Sequence, residues 1–151
     1  MMSPLEDGRS DSSILTPDRH RGGCLCGAIQ YEVRGTFEAF FLCHCGRCRK
    51  GTGSAHAANL FAANAQLRWT SGEGDVRIYQ VPGCRHQRAF CPTCGSPLPN
   101  LQGDGATLVV PAGSLDGPAP IPPTAHIFLG DGAGWDRALA GVPTYEGPPE
   151  G

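Results

Sequence analysis

Eight cysteines dominate the chemistry this sequence can perform: Cys24, Cys26, Cys43, Cys45, Cys48, Cys84, Cys91 and Cys94. They fall into a pair, a triplet, a singleton and a second pair. A structural zinc takes four thiolates in a tetrahedron, whereas a catalytic zinc takes three protein ligands and keeps one position open. The two pairs supply four ligands and the triplet supplies three, so counting alone divides the set into one closed and one open site. In Cys91-Pro92-Thr93-Cys94-Gly95 the chain must turn for both sulfurs to meet one metal, and Gly95 permits the positive φ of such a turn. Cys24-Leu25-Cys26-Gly27 is tighter; residues i and i+2 of a strand face the same side. A metal joining the two pairs closes a loop of more than 60 residues. Buried thiols or disulfides are the alternative for these four.

The triplet lies in Phe40-Phe41-Leu42-Cys43-His44-Cys45-Gly46-Arg47-Cys48-Arg49-Lys50-Gly51. Zinc on three thiolates carries net −1 and is a weak Lewis acid. It suits the task of accepting a thiol as fourth ligand and holding it as thiolate near neutral pH. Arg47, Arg49 and Lys50, read as part of the same loop, can offset that charge or hold substrate carboxylates; the alternative is a solvated basic turn. Cys84, in Val81-Pro82-Gly83-Cys84-Arg85-His86, could close the triplet into a second structural site, but it reads better as a free thiol. His44 sits between two ligands, so an extended chain points it away from the metal and toward a core role. His86 and His126 are acid–base candidates whose default role is structural.

The elements that must position these groups read as short strands punctuated by Gly and Pro: 28–33, 39–43, 55–61, 67–70, 76–81, 87–91, 107–110 and 126–129. Residues 57–66 carry an ambiguous helical pattern, and 135–142 suit one helical turn. Pro111, Pro118, Pro120, Pro122 and Pro123 require an extended surface loop. Residues 1–20 read as a disordered tail, 21–146 as one zinc-binding domain and 147–151 as a C-terminal tail. The expected class is all-β, with short antiparallel strands. The 22 glycines and 14 prolines among 151 residues bring the chain near the roughly 25% at which low complexity begins, so a poor core needs staples. The net charge of −2 lacks the basic excess of nucleic-acid binders. No apolar run reaches the roughly 18 residues of a membrane span. Residues 1–20 contain no apolar signal-peptide region, which points to the cytoplasm, where thiols stay reduced.

Three stretches together resemble the glutathione-dependent formaldehyde-activating enzyme family, also called the GFA or CENP-V domain family. They are Gly23-Cys24-x-Cys26-Gly27-x-Ile29-x-Tyr31, Cys43-His44-Cys45-x-x-Cys48-Arg49-Lys50-x-x-Gly53 and Arg88-x-Phe90-Cys91-x-x-Cys94-Gly95-Ser96-x-Leu98. Ala112-Gly113-Ser114-Leu115-Asp116, Pro123-x-x-His126-Ile127, Trp135 and Pro143-x-Tyr145 extend the resemblance. It implies an Mss4-like fold with two zinc ions per chain. The structural ion would rest on Cys24, Cys26, Cys91 and Cys94, and the catalytic one on Cys43, Cys45 and Cys48. The implied reaction is a carbon–sulfur lyase reaction run toward S-(hydroxymethyl)glutathione, from glutathione and formaldehyde. Cys84 stands where the family pattern requires no cysteine, and an Ala-rich stretch follows Gly53 where an aromatic often stands.

The expected function is therefore a zinc-dependent enzyme acting on a thiol–carbonyl adduct. Its partner would be a small-molecule thiol, with Arg47, Arg49 or Arg88 as carboxylate anchors. The alternative from another class is a non-catalytic zinc module for protein interaction; nucleic acid and membrane are not expected partners.

Overall fold

Alternation of apolar and polar residues fixes the first sheet. In Gln30–Arg34 (β2), Tyr31 and Val33 are buried on one face while Glu32 turns to the other. Glu32 is itself buried and is neutralised by Arg19 at 3.4 Å, Arg21 at 3.9 Å and Arg68 at 3.4 Å. These arginines come from the two flanking strands, Arg19–Gly23 (β1) and Gln66–Ser71 (β5), which pair with β2 antiparallel. The computed structural model describes residues 18–102 and 105–149. The expected tail of residues 1–20 lies outside them except for its last three residues, of which Arg19 and His20 already belong to β1.

The second sheet runs in the order β11-β3-β4-β10-β9. Its strands are Ala39–Cys43 (β3), Ala57–Ala62 (β4), Asn100–Leu101 (β9), Leu108–Pro111 (β10) and Ala125–Ile127 (β11). β3 pairs antiparallel with β4, from Ala39 opposite Phe61 to Cys43 opposite Ala57. The helical pattern of residues 57–66 is overruled here: β4 occupies its first part and the chain turns into β5 at Gln66. Leu60 and Ala62 are buried on one face of β4, which a strand satisfies through its period of two. β11 pairs with β3 in parallel, so the sheet is mixed rather than wholly antiparallel. A parallel partner needs a long connection, and the proline-rich segment 112–124 supplies it. Leu115, Ala119 and Ile121 of that segment pack against the main core, and the Thr124 amide donates to the Phe40 carbonyl at 2.7 Å.

That core lies between the first two sheets and comprises Tyr31, Val33, Phe37, Phe40, Leu60, Ala62, Leu108 and Val110. A third sheet, Arg77–Gln80 (β6), Gln87–Phe90 (β7) and Pro97–Leu98 (β8), shares a smaller cluster of Cys24, Ile29, Ala89, Cys91 and Leu98. The α-helix, Gly46–Thr52 (α1), occupies what the sequence suggested was a loop. Short 3-10 turns at Gly134–Asp136 and Leu139–Gly141 match the turn expected over 135–142.

Gly22 of β1 has no room for a side chain, because a Cβ would meet the Ser114 carbonyl and the Tyr31 ring. Gly22→Ala is therefore expected to cost about 1–3 kcal/mol, the usual penalty of overpacking, seen as a lower denaturation midpoint with an unchanged far-ultraviolet spectrum.

Candidate functional site

Two turns bring the cysteine pairs together. Cys24 and Cys26 follow β1, and Cys91 and Cys94 connect β7 to β8. In the first turn the Gly27 amide donates to the Cys24 carbonyl at 3.1 Å; in the second the Gly95 amide donates to the Cys91 carbonyl at 2.7 Å. Gly27 has φ 82° and Gly95 has φ 77°, so each turn closes through a left-handed glycine just after its second cysteine. Cys24 and Cys26 lie in a turn rather than on one face of a strand, yet their sulfurs are 3.6 Å apart. Cys26 Sγ lies 3.9 Å from Cys91 Sγ, and the four sulfurs lie within 4.8 Å of one another.

Four sulfurs about 2.3 Å from a tetrahedral zinc stand about 3.8 Å from one another, so the quartet has the spacing that zinc requires. Amides also point at its sulfurs: Ile29 N–H at Cys24 Sγ, 3.3 Å, and Cys26 N–H at Cys94 Sγ, 3.4 Å. The Ser96 hydroxyl, then the Ser96 and Cys26 amides, bring the Cys94 thiol down to about 5. Such donors stabilise a thiolate.

The triplet sits where β3 hands over to α1. Cys43 ends β3, Cys45 is the N-cap of α1 and accepts the Cys48 amide at 3.4 Å, and Cys48 is buried in the first turn of α1. The three sulfurs also lie within 4.8 Å of one another. Burial, and then the Cys43 and Cys45 thiols, push Cys48 far up. Burial raises Cys43 as well. Burial also works on Cys45, but the Cys48 amide and the neighbouring thiols outweigh it and lower this thiol. Three crowded sulfurs resist ionising together unless a cation is shared among them, and this donor set fits a divalent ion with one position open. Cys84 is not in this cluster; its thiol faces the Val81 carbonyl at 3.8 Å.

The triplet opens into a cleft of about 1130 Å³. Arg47, Arg49 and Lys50 of α1 line it together with Arg85, His86 and Arg88 from the loop before β7 and from β7 itself. The structure thus gathers all three arginines singled out in the sequence, and adds Arg85. Arg49 Nε is buried with no hydrogen-bond partner among the described residues. Arg88 lies 5.6 Å from the centre of the Phe90 ring. Burial first, then the charges of Arg47 and Arg88, push the His86 imidazole down from its ordinary value. Phe128, Asp131 and Trp135 also line the cleft.

The sequence profile described as glutathione-dependent formaldehyde-activating enzyme matches residues 19–131. The chain belongs to this family. It is also similar to a crystal structure of a Rhodobacter sphaeroides protein, a structural genomics target, with 28% identity and a TM-score of 0.52. That likeness covers 66% of this chain and 91% of the other. In this family member both cysteine clusters could hold zinc, and the mainly β fold agrees with the Mss4-like expectation.

The grouping of three histidines near the site escaped the sequence reading. His44 was expected to turn into the core, and it is fully buried. Its ring meets those of His56 and His126, with centroids 5.1 and 5.0 Å away. Strict alternation along Cys43-His44-Cys45 gave the direction of His44, but no local signal gave its partners.

If the quartet carries a structural zinc, Cys91→Ser and Cys94→Ser should each lose most of the domain's stability. Structural zinc supplies on the order of 10 kcal/mol in small domains. Circular dichroism melts before and after chelation check this; unchanged melting in both variants would contradict it.

Proposed function

We propose that this chain is a zinc-dependent enzyme that joins a small anionic thiol to a carbonyl compound. Its class would be a carbon–sulfur lyase, and its reaction the formation of S-(hydroxymethyl)glutathione from glutathione and formaldehyde. One observation carries the reading: three clustered thiols open directly into a cleft whose wall is basic although the chain is net −2. A cleft of about 1130 Å³ exceeds the roughly 300–1000 Å³ usual for small-ligand pockets, ample for a tripeptide. The family supports glutathione and formaldehyde as the substrate pair.

Cys43, Cys45 and Cys48 would hold the catalytic zinc, and Cys24, Cys26, Cys91 and Cys94 the structural one. The catalytic ion, when bound, supplies a fourth position at which a thiol is kept as thiolate. The residues of the chain do the rest. Arg47, Arg49 and Arg88 anchor the substrate carboxylates; Arg49, whose Nε has no partner among the described residues, has most to gain from one. Asp131, on the cleft wall, would meet the substrate ammonium. Held at both ends, the thiol presents its sulfur to the carbonyl carbon. The new C–S bond forms as the carbonyl π pair moves to oxygen, and that oxygen takes up the proton the thiol released. Nothing is oxidised or reduced. None of the eight cysteines is in a disulfide, in keeping with a reducing compartment such as the cytoplasm. Among the described residues no helix is long and apolar enough to cross a membrane.

A non-catalytic interaction module is the second reading. It is favoured by the exposed side chains of Phe128, Leu129, Trp135, Leu139, Val142 and Tyr145.

Cys45→Ser is expected to keep the fold, lose the zinc of the triplet and abolish thiol–aldehyde condensation, followed by nuclear magnetic resonance of the hydroxymethyl product. Arg88→Ala and Arg49→Ala should weaken glutathione binding by about 1.5–3 kcal/mol each, the range for charged hydrogen bonds, with melting temperature nearly unchanged. No condensation by zinc-loaded wild type would leave the module reading.

A further inference from the structure

His44, His56 and Asp136 each offer a ligand atom, and these atoms lie within 4.8 Å of one another. No sulfur takes part. His44 follows β3, His56 precedes β4, and Asp136 ends the 3-10 turn Gly134–Asp136, beyond the stretch that matches the family profile.

Two buried nitrogens at this spot, His44 Nδ1 and His56 Nδ1, have no hydrogen-bond partner among the described residues. His44 is 0% exposed. Its Nδ1 lies 3.7 Å from Asp136 Oδ2, too far for a hydrogen bond. Buried polar atoms in native proteins are almost always paired, so two orphaned nitrogens on histidines of one cluster ask for an occupant. Two ligands at 2.0–2.2 Å from a tetrahedral metal stand about 3.3–3.6 Å apart, so the His44–Asp136 separation needs little or no contraction.

The other nitrogen of His44 is already committed: Nε2 lies 2.8 Å from His126 Nδ1. A metal-binding histidine typically uses its second ring nitrogen in this way, which fixes tautomer and ring orientation. With Nδ1 on a metal, Nε2–H donates to His126. Two imidazoles and one carboxylate suit a borderline first-row divalent ion.

We propose that His44, His56 and Asp136 form a further metal site, for a divalent ion of the zinc type, held without thiolate and backed by His126. The ion ties the C-terminal segment to the loops that flank α1. Trp135, on the cleft wall, is thereby fixed next to its ligand Asp136. The site goes beyond the condensation reading and does not depend on it.

The test is metal content of the zinc-loaded full chain, compared with Asp136→Asn and His56→Gln. Each variant should carry one zinc fewer per chain than wild type, whatever the wild-type total. After cobalt loading, the sulfur-to-cobalt absorption of the variants should equal that of wild type. Equal metal content in wild type and both variants would overturn the proposal and leave a buried water as occupant. A second measurement needs no variant: cadmium-113 resonance of the wild type should show a nitrogen- and oxygen-bound signal apart from the thiolate-bound ones. Thiolate-bound signals alone would overturn the proposal. An empty thiol triplet would instead remove a thiolate-bound signal and leave this one in place.

Discussion

The fold rests on the meeting of four sulfurs from two turns far apart in sequence. Cys26 and Cys91 are 65 residues apart, yet their sulfurs are 3.9 Å apart. Around this point the apolar material is thin: the local cluster has five buried residues, two of them the cysteines Cys24 and Cys91 themselves. The larger cluster between the first two sheets does not include them. The third sheet meets the rest through Trp69, which packs against both clusters, through β8, which runs on into β9, and at the sulfur quartet, where the Leu25 amide also donates to Ser96 Oγ at 2.9 Å. A metal shared by these sulfurs would close so long a loop and remove much chain entropy from the unfolded state.

The same economy shapes the cleft. Cys43 sits at the end of a strand paired on both sides, with Ala57 opposite it on β4 and Ile127 on β11. Such a strand has little freedom, so the sulfurs rest on a rigid element, as precise sites require. α1 then serves twice. Its first turn carries Cys48, and its outer residues Arg47, Arg49 and Lys50 give the wall its charge. A chain of net −2 can thus display a strongly cationic hollow, because whole-chain charge says little about how charge is placed.

Much of this was legible in the residues, for identifiable reasons. Cysteine spacing and the glycines after Cys26 and Cys94 are local signals; Gly95 has the expected positive φ, and Gly27 has one too, where the sequence suggested a strand. β3 and the span of β7 follow from short apolar runs bounded by breakers. α1 was missed because seven residues beginning Gly-Arg-Cys-Arg-Lys show no apolar period; its N-cap is a cysteine thiol rather than a usual hydroxyl or carboxylate. The parallel pairing of β11 depends on where the proline-rich segment lands, which no local pattern encodes. β8 and β9 are two residues each, too short for any period. The His44 neighbours come from three separate segments, so only the folded chain could join them.

The quartet does not line the cleft. The sulfur quartet and the cleft lining are therefore different residues on different turns. Arg85, Arg88, Phe128 and Trp135 can be exchanged without touching the sulfur quartet. A lineage built on this frame is free to drift among thiols, aldehydes or other adducts by changing the cleft alone. The scaffold absorbs the variation while its anchor stays put, and new specificities become reachable through single substitutions that leave the folded population intact.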